Sequence, residues 1–175
     1  DGGGTSNIIL PAGSIVTETG NLTLENGASF GCDNVTNHGN ITLLTGANIA
    51  GSPRLDITNY GNITLLTEAF IEGTNLVVEG GGKLEINEKA QATLSETVTV
   101  KSGASLVVTN SHAAVNDIMS LKSATLNVQG VMHMQGAHCE FTDVDVDTTG
   151  SLFVKDRTTS IGHYYGYLDT ESIIN

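Results

Sequence analysis

HGNITLLTGANIAG, at residues 38–51, returns as YGNITLLTEAFIEG at residues 60–73, a shift of 22. The flanks share it: Asn34-Val35-Thr36-Asn37 aligns with Asp56-Ile57-Thr58-Asn59. The opening of the block recurs more loosely along the chain. Gly20-Asn21-Leu22-Thr23-Leu24, Gly39-Asn40-Ile41-Thr42-Leu43, Gly61-Asn62-Ile63-Thr64-Leu65 and Gly82-Lys83-Leu84-Glu85-Ile86 form one series. Gly103, before Ala104-Ser105-Leu106-Val107-Val108, and Ser123, before Ala124-Thr125-Leu126-Asn127-Val128, extend it, with steps of 19, 22, 21, 21 and 20 residues. A second series trails the first: Gly27-Ala28-Ser29-Phe30, Gly46-Ala47-Asn48-Ile49, Glu68-Ala69-Phe70-Ile71 and Lys89-Ala90-Gln91-Ala92.

Inside each block apolar and polar residues alternate with period two, and the residues are Thr, Val, Ile and Leu, which suit a half-buried pleated strand. Short strands joined by Gly/Asn turns at a period near 20 predict an all-β chain, a β-solenoid or stacked β-arch with coils of about 19–22 residues. An antiparallel sandwich gives no reason for NITLL to recur at a constant shift; a stacked coil does, because equivalent residues lie on top of one another. Ile41 over Ile63 and Leu43 over Leu65 are then a core ladder, Asn40 over Asn62 and Asn37 over Asn59 are amide ladders, and Gly39 and Gly61 occupy equivalent turns. The chain reads as one domain, 1–175, with an N-terminal edge segment (1–16), regular repeats (17–110), and irregular coils with a C-terminal cap or docking region (111–175). Only 110–121 could hold a turn of helix. Tyr164, Tyr165 and Tyr167 mark a candidate docking patch.

Nineteen acidic residues against seven basic ones give a net charge of −12, and the first 53 positions hold no Lys or Arg. Phosphate binding needs clustered cations, so a nucleic-acid partner is not expected. No apolar run reaches the ~18–20 residues that span a bilayer. The N-x-T sequons at Asn21, Asn34, Asn40 and Asn62 are candidate N-glycosylation sites. Cys32 and Cys139 form no C-x-x-C; an intra- or intermolecular disulfide and two buried thiols are both open readings. Asp143, Asp145 and Asp147 alternate with Val144 and Val146, which puts three carboxylates on one outer face and makes them a weak metal candidate beside a plain solvated strand. Met132 and Met134 fall on one strand face and His133 on the other, so they do not converge as ligands. There is no nucleophile elbow, H-E-x-x-H or phosphate-cradling loop, so neither catalysis nor a cofactor is expected.

The paired GNITLLTGANIAG and GNITLLTEAFIEG, the acidity, the Thr/Asn/Gly richness and the lack of evident caps resemble extracellular β-solenoid or β-arch structural proteins. In style the chain is similar to the amyloid-like sheath proteins of filamentous methanogenic archaea. That resemblance implies a non-enzymatic envelope protein at the cell surface or sheath, whose partners are copies of itself joined end to end through their sheets. Adhesin stalks with similar coils supply the alternative, a surface binding module.

Overall fold

A computed structural model of the chain describes residues 7–9, 14–16, 20–51, 54–109, 119–135, 137–155, 160–162 and 173–174. Among them there is no helix, and every strand pairing is parallel. The first strands are β1 (Asn7–Ile9) and β2 (Ser14–Val16); the chain then crosses to β3 (Asn21–Leu24) and returns through β4 (Ser29–Gly31) and β5 (Asn34–Asn37). The circuit repeats as β6 (Asn40–Leu43), β7 (Asn48–Ala50) and β8 (Asp56–Asn59). From there the two short return strands merge into one long strand. β9 (Asn62–Leu65) leads to β10 (Phe70–Val78), β11 (Lys83–Ile86) to β12 (Gln91–Val100), and β13 (Ser105–Thr109) to β14 (Met119–Val128). β15 (Val131–Gln135) and β16 (His138–Val146) follow, then β17 (Ser151–Lys155), β18 (Ser160–Gly162) and β19 (Ile173–Ile174).

These strands build a β-solenoid whose narrow sheet stacks eight rungs among the described residues. One broad sheet of 11 strands holds β1, β2, β4, β5, β7, β8 and the even-numbered strands from β10 to β18; a narrow sheet of eight holds β3, β6 and the odd-numbered strands from β9 to β19. β10 shows how the broad sheet changes along the axis, pairing through Phe70–Glu72 with β7 and through Asn75–Val78 with β8. Alternation sends one residue in two inward. In β9, Ile63 and Leu65 are buried and Thr64 between them is not; in β11, Leu84 and Ile86 are buried around Glu85. Inward residues of both sheets form a single hydrophobic core. A lone circuit has too few neighbours to cover them, so the rungs above and below supply the burial, worth about 1.5–3 kcal/mol per large apolar side chain.

The turn from narrow to broad sheet accounts for the second sequence series. Ala28, Ala47, Ala69 and Ala90 each donate their N–H to the carbonyl three residues back, at 2.9 Å. Ala47, Ala69 and Ala90 are fully buried, a position with room for one methyl group. The residue before each alanine is left-handed: Gly27 (φ 76°), Gly46 (68°), Glu68 (61°) and Lys89 (59°). A side chain there is strained by roughly 1–2 kcal/mol, which glycine avoids at some cost in unfolded-state entropy. Glu68→Gly and Lys89→Gly are therefore expected to raise stability by about 0.5–1 kcal/mol each, read as a higher urea midpoint at unchanged slope. Lower midpoints in both variants would refute the turn assignment.

Gly61, in the return turn, meets a different constraint. A Cβ added there would collide with the Gly39 carbonyl oxygen one rung below, so the glycine is set by close backbone approach.

Two register expectations need correction. Leu84 stacks on Leu106 and Lys83 on Ser105, a shift of 22, one residue beyond the alignment of Gly82 with Gly103. Residues 123–128 do not follow β13 in the narrow sheet; they belong to β14 of the broad sheet, where Val98 pairs with Leu126. The next narrow-sheet rung is β15, and Ser105 pairs with Val131, a step of 26. Residues 119–121, at the end of the stretch read as a possible helical turn, are strand, and 110–118 lie outside the described residues.

Candidate functional site

Stacking turns single residues into columns, and the columns on the outer faces and at the sheet edges are what the molecule offers to partners. On the narrow sheet the Asn62 amide Nδ2 donates to Asn40 Oδ1 at 2.9 Å, and Asn40 Nδ2 donates to Asn21 Oδ1 at 2.8 Å, an exposed ladder over three rungs. Three of the four sequon asparagines are thus engaged with one another on neighbouring strands. The fourth, Asn34, opens β5 on the broad sheet, is exposed, and makes no side-chain hydrogen bond among the described residues.

A second ladder is buried. Asn37 and Asn59 have no exposed surface. Asn37 Nδ2 donates to Asn59 Oδ1 at 2.7 Å, to the Asn62 carbonyl at 3.0 Å and to the Gly39 carbonyl at 3.2 Å, while its Oδ1 accepts the Gly39 N–H at 3.1 Å. Asn59 Nδ2 donates to the Lys83 carbonyl at 2.9 Å. The Asn37 Oδ1 thus pairs the Gly39 N–H, and the two amide nitrogens add donors to the carbonyls of the return turns. A third column, not evident in the sequence, runs on the broad sheet: Asn75 Nδ2 donates to Asp56 Oδ1 at 2.9 Å and Thr97 Oγ1 to Asn75 Oδ1 at 2.7 Å. Aromatic stacking adds two more links, His38 on Tyr60 with centroids 4.7 Å apart and His133 on Phe153 at 4.5 Å. The 22-residue shift already aligned His38 with Tyr60.

The core-ladder residues Ile41, Leu43, Ile63 and Leu65 are buried to 0–1% exposure and lie in register, Ile41 on Ile63 and Leu43 on Leu65. Asp143, Asp145 and Asp147 are exposed around buried Val144 and Val146, and no group of three or more His, Cys, Asp or Glu among the described residues could hold a metal ion. Strand alternation keeps the three carboxylates ~6–7 Å apart along one strand. Tyr164, Tyr165 and Tyr167 lie outside the described residues. Among the described residues, no helix is long and apolar enough to cross a membrane.

Cys32 and Cys139 are both buried free thiols. Cys139 shares a register column with Phe30, five strand pairings away. At 4.7–4.9 Å per pairing that is ~24 Å, beyond the reach of a disulfide, so an intrachain bridge is excluded. Cys139 has no exposed surface and Cys32 is 6% exposed. Burial, with Asp33 as a lesser cause, pushes Cys32 up to about 11. Burial pushes Cys139 up to about 12 against a partly opposing hydrogen bond to the Leu121 backbone. At pH 8 both thiols are expected to react with DTNB at least ~100-fold more slowly in the folded chain than in denaturant. Native-state labelling as fast as denatured labelling would overturn their placement. The linkage has a definite sign. Between about pH 9 and their folded values the unfolded thiols have lost protons that the folded ones keep, so stability falls as pH rises through that window.

The edges carry the most informative geometry. One narrow-sheet column contains Ile41, Ile63, Leu84, Leu106, Met132 and Leu152, all 0–1% exposed. Leu22 heads the same column on β3 and is only partly buried, whereas Leu24 on the same strand is 2% exposed; no strand among the described residues pairs with the other side of β3. No helix covers either edge of the two sheets among the described residues.

Comparisons with protein-family models, with curated proteins and with solved structures returned no match. The functional reading of this β-solenoid therefore rests on its own columns and edges.

Proposed function

We propose that the chain is a self-assembling structural protein of an extracellular sheath or envelope, polymerising by end-to-end continuation of its β-sheets. The observation that carries this reading is a parallel edge with no covering strand or helix among the described residues, where Leu22 is half-covered while the interior members of its column are fully buried. A parallel edge presents a row of backbone donors and acceptors, and soluble proteins ordinarily blunt such rows with caps, charges or prolines. Ladders of Asn, Thr and stacked aromatic rings gain with each added rung, and a further copy adds rungs. The sheath assignment and the extracellular location draw on the sequence resemblance, which the acidic, hydroxyl- and amide-rich surface suits.

The test is electron microscopy of the purified chain over a concentration series, with fibre diffraction of any filaments. Ordered polymers with a ~4.7–4.8 Å repeat along the axis are expected. Monodisperse monomers at the highest concentration would overturn self-assembly and leave a surface binding module as the reading to pursue.

A further inference from the structure

We propose that neighbouring copies join head to tail with no rung skipped, β18 of one copy pairing with β1 of the next and β19 with β3. This rests on the self-assembly reading and specifies its junction.

Among the described residues each sheet has eight positions along the axis. In the broad sheet they begin with β1, which has β2 beside it in the same turn, and end with β18; in the narrow sheet they begin with β3 and end with β19. The chain passes from broad to narrow sheet in the first turn (β2 to β3) and again in the last (β18 to β19). At the first edge the broad sheet consequently stands one position ahead of the narrow one, and at the last edge the narrow sheet stands one ahead of the broad. The two steps are complementary. A head-to-tail neighbour fills both at once, keeps every strand parallel and leaves no vacant position. A two-fold junction would set strands antiparallel, and to match the steps it would oppose the β1/β2 pair to the single four-residue strand β3.

The register columns agree with this junction. The broad-sheet column Phe30, Ile49, Ile71, Ala92, Leu121 and Cys139 is extended by Ile8 at one edge and Ile161 at the other. The narrow-sheet column that Leu22 heads finishes at Ile173. Head-to-tail stacking without a register slip sets Ile161 beside Ile8 and Ile173 beside Leu22, so both apolar columns run unbroken from copy to copy. A slip of one residue would bring outward positions into these columns and is disfavoured wherever one face is buried. The partly buried Leu22 then gains the cover that the interior members of its column already have.

Cysteine pairs across the junction test this. Register sets Ser160 of one copy beside Asn7 of the next, and Ile174 beside Thr23. Parallel neighbours lie at ~4.7–4.9 Å, within the Cα range of a disulfide. The double variants Asn7→Cys/Ser160→Cys and Thr23→Cys/Ile174→Cys, oxidised with copper-phenanthroline, are expected to give a ladder of covalent multimers on denaturing gels. Reductant should collapse the ladder, and each single variant should stay monomeric on the gel. Two independent pairs guard against one variant failing to fold, which circular dichroism of the reduced proteins would show. Dimers from an Asn7→Cys/Thr23→Cys variant, which pairs β1 of one copy with β3 of the other, would establish a two-fold junction and overturn the proposal. Polymers visible by microscopy that neither pair cross-links would overturn the junction while leaving self-assembly intact. Absence of polymers from the wild-type chain would remove both.

Discussion

An Ile63→Asp chain does not fold. Ile63 is 1% exposed and sits between Ile41 and Leu84 in its column, so the substituted carboxylate has apolar neighbours above and below and no cation among the described core residues. A buried, unpaired charge costs far more than the lost methyl groups, and even after neutralisation the acid must be desolvated without partners. The expected loss is about 4–5 kcal/mol or more, most or all of the stability of an ordinary domain. Circular dichroism should show the strand signal gone at neutral pH, with no polymer by microscopy. Ile41→Asp should behave alike, since Ile41 is equally buried between Leu22 and Ile63. Cooperative unfolding of either variant at the wild-type denaturant midpoint would show that the rung alignment is wrong.

Asn37→Asp and Asn40→Asp make the same chemical change one strand apart and should differ several-fold in cost. At Asn37 the amide nitrogen faces three acceptors, the Gly39 and Asn62 carbonyls and Asn59 Oδ1, all within 3.2 Å. A carboxylate puts an anionic oxygen against those three acceptors in a site with no solvent exposure, costing about 3–5 kcal/mol. Asn40 is exposed; its Oδ1 would still accept from Asn62, and only the bond to Asn21 is lost, costing below about 1 kcal/mol. The pH dependence follows from the sign of the penalty. Burial among acceptors disfavours the ionised form at position 37, so its folded pKa lies above the unfolded value of roughly 4. The variant is therefore most stable below that value and loses stability as pH rises through the folded one. Urea midpoints at pH 4 and pH 8 should separate for Asn37→Asp and stay close for Asn40→Asp. Equal losses at both positions would contradict the buried ladder.

Much of the solenoid was legible because its best-written rungs repeat residue for residue. Asn40-Ile41-Thr42-Leu43 and Asn62-Ile63-Thr64-Leu65 differ at no position, and their alignment is the pairing of β6 with β9. The turn series ending in Ala47, Ala69 and Ala90 was equally readable, since one buried methyl position and one left-handed position constrain each copy. Legibility failed where the period was broken. The 26-residue step from Ser105 to Val131 interrupts the count. Ala124-Thr125-Leu126-Asn127-Val128 alternates just as a narrow-sheet strand does, but it belongs to the broad sheet. Period-two alternation reports which side of a strand is buried and carries no information about which sheet the strand joins. The ladder through Asp56, Asn75 and Thr97 was invisible for a related reason. Its members are different residue types, and only the register of β8, β10 and β12 brings them together.

Winding, too, has a mechanical consequence. Because each strand pairs mainly with the strands one turn before and after it, a pull on the two ends of one molecule loads only the outermost turn, and the turns behind it stay shielded until it peels away. Each peeled turn releases 19–22 residues of chain over most of the length, or ~65–75 Å of extended contour against a loss of under 5 Å of stacked height. Under tension such a molecule yields in small equal increments, dissipating work at each one, and it can rewind from whatever turns remain.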